Sequence, residues 1–177
     1  MAAKEKASPG PEKLIPGFRL RPAWRLGDGR IEADAIAFWE RLGILPAGVA
    51  PRQRAAALVA VAYRKDVIVG VHTATIERVE QVRTRLAMLR SAVDPDYRRT
   101  HVSLALTLYS RDLLARWSRD NPHERLGGLG IIVEGEQLAE RARQPYWPRT
   151  GFLLAGFLAD GRQLRVSWFE DFRVDSW

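Results

Sequence analysis

The chain has no cysteine, two methionines and three histidines among its 177 residues. Without thiols, neither disulfides nor thiolate metal sites can form, and His72, His101 and His123 are too dispersed to read as a ligand set, so no metal is expected. No apolar run approaches the roughly 20 residues of a membrane span, so no membrane partner is expected. The first sixteen residues, Met1 to Pro16, mix Lys, Glu, Ser, Pro and Gly without the apolar stretch of a secretory signal, and they read as a flexible tail. Residues 17–177 are then one domain, long enough to bury a core without staples, and the expected location is the cytoplasm.

What the chain has in excess is positive charge, formally +7. The basic residues are overwhelmingly arginine and are spread from Arg19 and Arg21 to Arg165 and Arg173. Arginine dispersed in this way is more often a compositional habit than a surface that reads nucleic acid, so nucleic acid is not the expected partner. An anionic cofactor or an acidic partner accounts for the excess at least as well.

Hydrophobic periodicity gives the order of elements. Phe18 to Ala23 suits a short strand, and Ile31 to Leu42 has helical apolar spacing closed by Gly43. Ala50 to Ala57 suits a short helix whose limits Pro46 and Pro51 leave open. Leu58 to Tyr63 and Val67 to Ile76 are β-rich runs joined as a hairpin, followed by a third run, Leu86 to Val93. An amphipathic helix carries Val102, Leu104, Ala105, Leu108, Leu113, Leu114 and Trp117 and ends by Asn121-Pro122. Leu129 to Val133 is a short buried strand and Glu136 to Arg143 a short helix. Phe152 to Leu158 and Gln163 to Phe169 flank Ala159-Asp160-Gly161-Arg162, a strong hairpin signal. The sum is a mixed α/β (α+β) domain.

The stretch from Arg85 to Trp117 places a strand, a basic turn and a helix N-terminus in succession. Free N–H groups and the positive dipole end of a helix suit a phosphate, and arginines just outside add charge-assisted contacts. This arrangement resembles the central motif of the GNAT superfamily of N-acyltransferases, in which V-x-P-x-Y/F-R ends a strand and [RQ]-x-x-G-x-[GA] opens a helix. Val93, Pro95, Tyr97 and Arg98 stand at the matching places, while His101 and Ser103 occupy positions where the family has small residues. The order of elements over about residues 17 to 174 is also that of the family. A second similarity is Tyr146-Trp147-Pro148-Arg149-Thr150-Gly151-Phe152, where the family has an aromatic shortly before Gly-Phe; the tyrosine comes one residue early and Trp147 takes its place.

The resemblance implies a mostly antiparallel central sheet of about seven strands flanked by about four helices. It implies transfer of an acyl group, acetyl being the first expectation, from an acyl-coenzyme A to an amine on a small molecule, a peptide or a protein. Acyl-coenzyme A would be a co-substrate, with Leu89, Ser91 and Val93 meeting it by main chain and Arg98, Arg99, Thr100, His101, Val102 and Ser103 holding its pyrophosphate. A tyrosine such as Tyr146 commonly protonates the departing thiolate in this family, whereas an indole cannot. The base stays open: no acidic residue lies between Arg83 and Val93, which leaves Glu77, Glu80 or His72 on one side and Glu170 or Asp171 on the other. Trp168 and Phe169 sit where such folds line an acceptor groove, which would suit an aliphatic acceptor or a longer acyl chain. The alternative is a GNAT-like binding or assembly module without catalysis, motivated by His101, Ser103 and the missing glutamate. Strand pairing near Leu164 to Phe172 across a homodimer is a further option.

Overall fold

A computed structural model describes residues 10–45, 47–134 and 143–173. Among them, eight strands form one sheet in the order β1-β2-β3-β4-β5-β8-β7-β6. The strands are β1 (Phe18–Pro22), β2 (Leu58–Arg64), β3 (Val67–Val79), β4 (Thr84–Val93), β5 (Leu126–Ile132), β6 (Tyr146–Trp147), β7 (Phe152–Phe157) and β8 (Gln163–Trp168). Every neighbouring pair is antiparallel except β4 and β5, which run parallel. Three α-helices are described: α1 (Gly29–Leu42), α2 (Pro51–Ala55) and α3 (Val102–Asp120). The mixed, mostly antiparallel architecture is the one expected, with one strand more. The helix expected over Glu136 to Arg143 lies outside the described residues, apart from Arg143.

Helix α1 begins two residues earlier than its apolar spacing suggests because the Asp28 carboxylate caps it, accepting the N–H groups of Arg30 at 3.0 Å and Ile31 at 3.2 Å. It ends at Gly43, whose φ of +61° suits a residue without a side chain. Ile31, Ala35, Phe38 and Trp39 form its buried stripe and pack with Leu58, Val61 and Val71 on one face of the sheet. Helix α3 covers the opposite face, with Val102, Ala105, Leu106 and Leu114 against Ala60, Ala62, Ala74, Leu89 and Leu129. The sheet is thus covered on both faces, which fixes the side each β4 residue serves.

Two sequence expectations need correction. Residues 11–16 are not part of a tail: Pro11–Leu14 form a 3-10 turn against α3, and Ile15 is fully buried in the α3-side core. Strand β8 is not an edge open to a second copy, because it pairs with β5 on one side and β7 on the other.

The close seam between β5 and β8 demands glycine at residue 128. A Cβ there would strike the Ser167 carbonyl oxygen and come within 3.0 Å of Trp168 Cα, both backbone atoms that cannot swing aside. Gly128→Ala is therefore expected to destabilise the fold by about 2 kcal/mol through overpacking. Urea unfolding checks this, and an unchanged midpoint would mean the seam can open without cost.

Candidate active site

Strands β4 and β5 pair only as far as Met88 opposite Gly130. Beyond that point β4 continues to Val93 against β3, while β5 continues to Ile132 against β8. The two strands separate, and the β5-facing edge of β4 has no ladder partner over residues 89–93 among the described residues. Which backbone groups face this opening follows from the register. Asp94 N–H donates to the Val69 carbonyl at 2.9 Å, and β3 and β4 pair without a shift, so Ala92, Arg90 and Met88 also turn their N–H and C=O to β3. Leu89, Ser91 and Val93 turn theirs to the opening. These are the three residues expected to meet the co-substrate by main chain.

The loop after β4 places the first turn of α3 beside this opening. The Asp94 carboxylate accepts Asp96 N–H at 3.1 Å and pairs with Arg41 at 2.7 Å, while Arg41 also donates to the Ile68 carbonyl. Burial works against the charge of Asp94, but Arg41 and the Asp96 N–H outweigh it and hold the carboxyl below its ordinary value. Thr100 closes the turn through its hydroxyl on the Tyr97 carbonyl at 2.7 Å, and Tyr97 rests edge-on against Phe18. Gly70 provides the room for close docking, since a Cβ there would be 3.0 Å from both Val102 and Leu106. Val93 borders the same spot.

His101 precedes α3 with φ +62° and ψ 9°, the left-handed conformation that glycine adopts freely. The loop therefore keeps a glycine-like path although the residue is histidine, one of the types that tolerate this region best. Its side chain is exposed and caps nothing. The first helical bond runs from Ala105 N–H to the His101 carbonyl at 2.9 Å, which leaves the N–H groups of Val102, Ser103 and Leu104 ahead of it. Arg98 and Arg99 are exposed at this end and form no ion pair among the described residues. His101→Gly is expected to stabilise the protein by about 0.5–1 kcal/mol by removing the left-handed strain. Thermal unfolding measures this, and a lower midpoint would show that the imidazole makes a contact that outweighs the strain.

The candidate proton-transfer residues are dispersed. His72 lies opposite Ser91, level with the opening, but is 1% exposed. Its Nδ1 is 3.1 Å from Ser110 Oγ and its Nε2 is 3.1 Å from Ser91 Oγ, and burial pushes its pKa down to about 4. Sequence reasoning named Ser91 for its main chain alone and missed Ser110, because only the β3–β4 register and the docking of α3 bring the two hydroxyls to His72. Glu77 is exposed, accepts the Thr75 hydroxyl at 2.5 Å and lies opposite Leu86, three residues or about 10 Å along the ladder from the level of Leu89. Tyr146 pairs with Leu153, Leu153 with Val166, Val166 with Gly130 and Gly130 with Met88. It is thus four strand spacings, about 19 Å along the sheet, from β4. Trp147 packs on Phe152 and lies under Arg165. Of the three, only His72 is brought to the opening.

A cavity of about 460 Å³ lies at the other end of β4, lined by Arg83, Arg85, Arg119, Arg125 and Phe169. Arg85 there pairs with Glu124 at 2.9 Å and Arg119 with Asp171 at 3.3 Å. That cavity is separate from the opening: Arg85 stands four residues, about 13 Å along β4, before Leu89.

A seven-step mixed sheet whose single parallel pair separates beside a helix N-terminus defines the GNAT fold. Solved structures of that class match the chain. A GNAT-superfamily phosphinothricin acetyltransferase from Sinorhizobium meliloti, in complex with AcCoA, aligns with TM-score 0.58 and 17% identity over 90% of this chain and 92% of its own. A GNAT-family acetyltransferase from Streptococcus pneumoniae aligns at 0.55 and 14%, over 86% and 99%. Ribosomal-protein-S5-alanine acetyltransferase from Vibrio fischeri aligns at 0.54 and 12%, over 89% and 96%. No protein-family model matches the sequence, and no curated protein matches it. The likeness at these identities is one of fold. Among the described residues, no helix is long and apolar enough to cross a membrane, and no cluster of His, Asp and Glu could hold a metal ion.

Proposed function

We propose that this chain is an N-acyltransferase that moves an acyl group, acetyl in the first instance, from an acyl-coenzyme A to an amine. The observation that carries the reading is the edge of β4 at Leu89, Ser91 and Val93, unpaired among the described residues, set beside the free N–H groups of α3 and the exposed Arg98 and Arg99. An extended chain bearing amides can lie along such an edge as an added strand does, while a pyrophosphate at its far end meets Val102, Ser103 and Leu104 N–H with Arg98 and Arg99 alongside. The residues present fit the co-substrate, because the path of the loop at His101 leaves the N–H groups presented and its side chain stands in solvent.

In the reaction, the neutral amine attacks the thioester carbonyl carbon, the C–S bond breaks, the amine nitrogen loses a proton and the thiolate gains one. A β4 N–H at Leu89 or Ser91 would meet the carbonyl oxygen as it gains charge. The Ser91 hydroxyl, 3.1 Å from His72 Nε2, is a side-chain proton donor on the same strand segment. Glu77 would collect the amine proton only through water, given its place along β3.

A second reading is a GNAT-fold binding module without catalysis. It is favoured by the absence of any carboxylate on β4 and by the distance of Tyr146 from the opening. Calorimetric titration with coenzyme A and acetyl-coenzyme A, followed by thiol release over an amine panel, separates the two. Binding with turnover supports the enzyme, binding without turnover the module, and no binding removes the enzyme and leaves the module.

A further inference from the structure

The face of β4 turned away from α3 is where an acceptor must arrive, because α3 closes the other side of the sheet. Ala92 packs with the α1-side core and Met88 with Leu86, Leu164 and Val166, whereas Leu89 and Val93 belong to the α3 side. Arg90, between Met88 and Ala92, therefore stands on the acceptor face at the level of the opening, and it is exposed. The register carries the same level across two strands, from Arg90 to Thr73 and from Thr73 to Leu58. Helix α2 ends three residues before Leu58, and it holds Arg54.

Arg54 is fixed in place. Its guanidinium lies over the Trp39 ring at 5.2 Å, and its Nε is buried without an acceptor among the described residues. Burial and then the charge of Arg90 both lower its pKa, which agrees with the nearness of the two cations that the register gives. Neither has a carboxylate within ion-pair distance among the described residues. No Asp or Glu occurs from Arg41 to Lys65 or from Gln81 to Val93, and Asp94, which follows, is taken by Arg41. Two like charges held together, one with a buried donor unspent, are costly unless an anion joins them.

Resting on the acyltransferase reading above, we infer that the acceptor is an amine that also carries a carboxylate, which Arg54 and Arg90 clamp while the amine points to the β4 edge. Two guanidinium forks on one oxyanion fix orientation as well as position, so that the acid orients the amine.

The test compares amino acids with their own amides, aliphatic and aromatic, at equal concentrations of neutral amine. Thiol release from acetyl-coenzyme A is the readout, with coenzyme A affinity measured in parallel. The acids are expected to exceed the amides by at least about tenfold in kcat/KM. Arg90→Ala is expected to erase that preference mainly through KM without changing coenzyme A affinity, and Arg90→Lys to restore part of it. Arg90 is exposed, so its variants keep the fold; Arg54→Ala is the second arm. Amides used as well as acids, a preference that survives in both variants, or bound coenzyme A with no acid turned over would each overturn the inference alone. Failure to bind coenzyme A would instead remove the reading beneath it.

Discussion

Coenzyme A binding is expected to weaken by about 100-fold when Arg98 and Arg99 are both replaced by alanine, with the unfolding midpoint unchanged. Each arginine gives a charge-assisted hydrogen bond to a phosphate oxygen worth on the order of 1.5 kcal/mol at an exposed site, and two such bonds amount to about 100-fold in Kd. Stability should not move, because both side chains are exposed and neither pairs with a carboxylate among the described residues. The loop itself is held by Asp94, Thr100 and Tyr97. Two controls sharpen the result. The double lysine variant keeps the charge but loses the fork, so it should fall between the two proteins. Raising salt should weaken binding to the natural protein more than to the alanine variant, because exposed charges are screened beyond about 8 Å at 0.15 M. Calorimetry reads all three, and a change smaller than about threefold in the alanine variant would place the pyrophosphate elsewhere.

Local signals were legible in this sequence, and the assembly of elements was not. Gly43, Asp160-Gly161 and the β-rich runs Leu58 to Tyr63 and Val67 to Ile76 each announce their structure within a few residues, and each element is found. Strand β6 escaped notice because two residues have no period to read, and it exists only through pairing with Leu153 and Phe152. Strand β5 begins three residues earlier than its apolar run because Gly127 and Gly128 hide its start, their lack of a side chain being what lets β8 and Phe172 approach. The burial of Ile15 had no local sign, since a lone apolar residue beside Pro16 reads as tail until α3 covers it.

The site divides in the same way. The pyrophosphate loop is contiguous, so Arg98 to Ser103 could be read in order, and the alternation of β4 picks out Leu89, Ser91 and Val93. The side chains for acid and base come from different elements, and no spacing in sequence measures their separation. Tyr146 looked close to the chemistry by its motif, yet the register sets three strands between β6 and β4. Ser110 met His72 only because α3 packs across β3.

His72 is expected to make the fold acid-labile from about pH 6.5 downward, before the carboxylates begin to titrate. Its pKa is held at about 4 by burial, against 6.5 in an open chain. Above 6.5 the imidazole is neutral in both states and its full contribution is present. Between 6.5 and 4 the unfolded chain takes up a proton that the native protein refuses, so stability falls with pH, by on the order of 3 kcal/mol on reaching the lower value. Asp94, whose ordinary value is 3.8, begins to lose its contribution only below about pH 5. Urea unfolding at pH 7.5 and pH 4.5 should thus differ steeply for the natural protein and much less for His72→Gln, which cannot titrate; parallel profiles would show that the ring is not held neutral. The same burial bears on the chemistry. A neutral ring donates from one nitrogen and accepts at the other, so it can take the hydroxyl proton of one serine while pointing its own at the second. With Ser110 fully buried and Ser91 on the strand whose edge stands open, that polarity sets the Ser91 hydroxyl toward the gap or away from it. Thiol release should therefore fall in His72→Gln at pH 7.5 with coenzyme A affinity retained, since the main-chain edge and the basic loop are left intact.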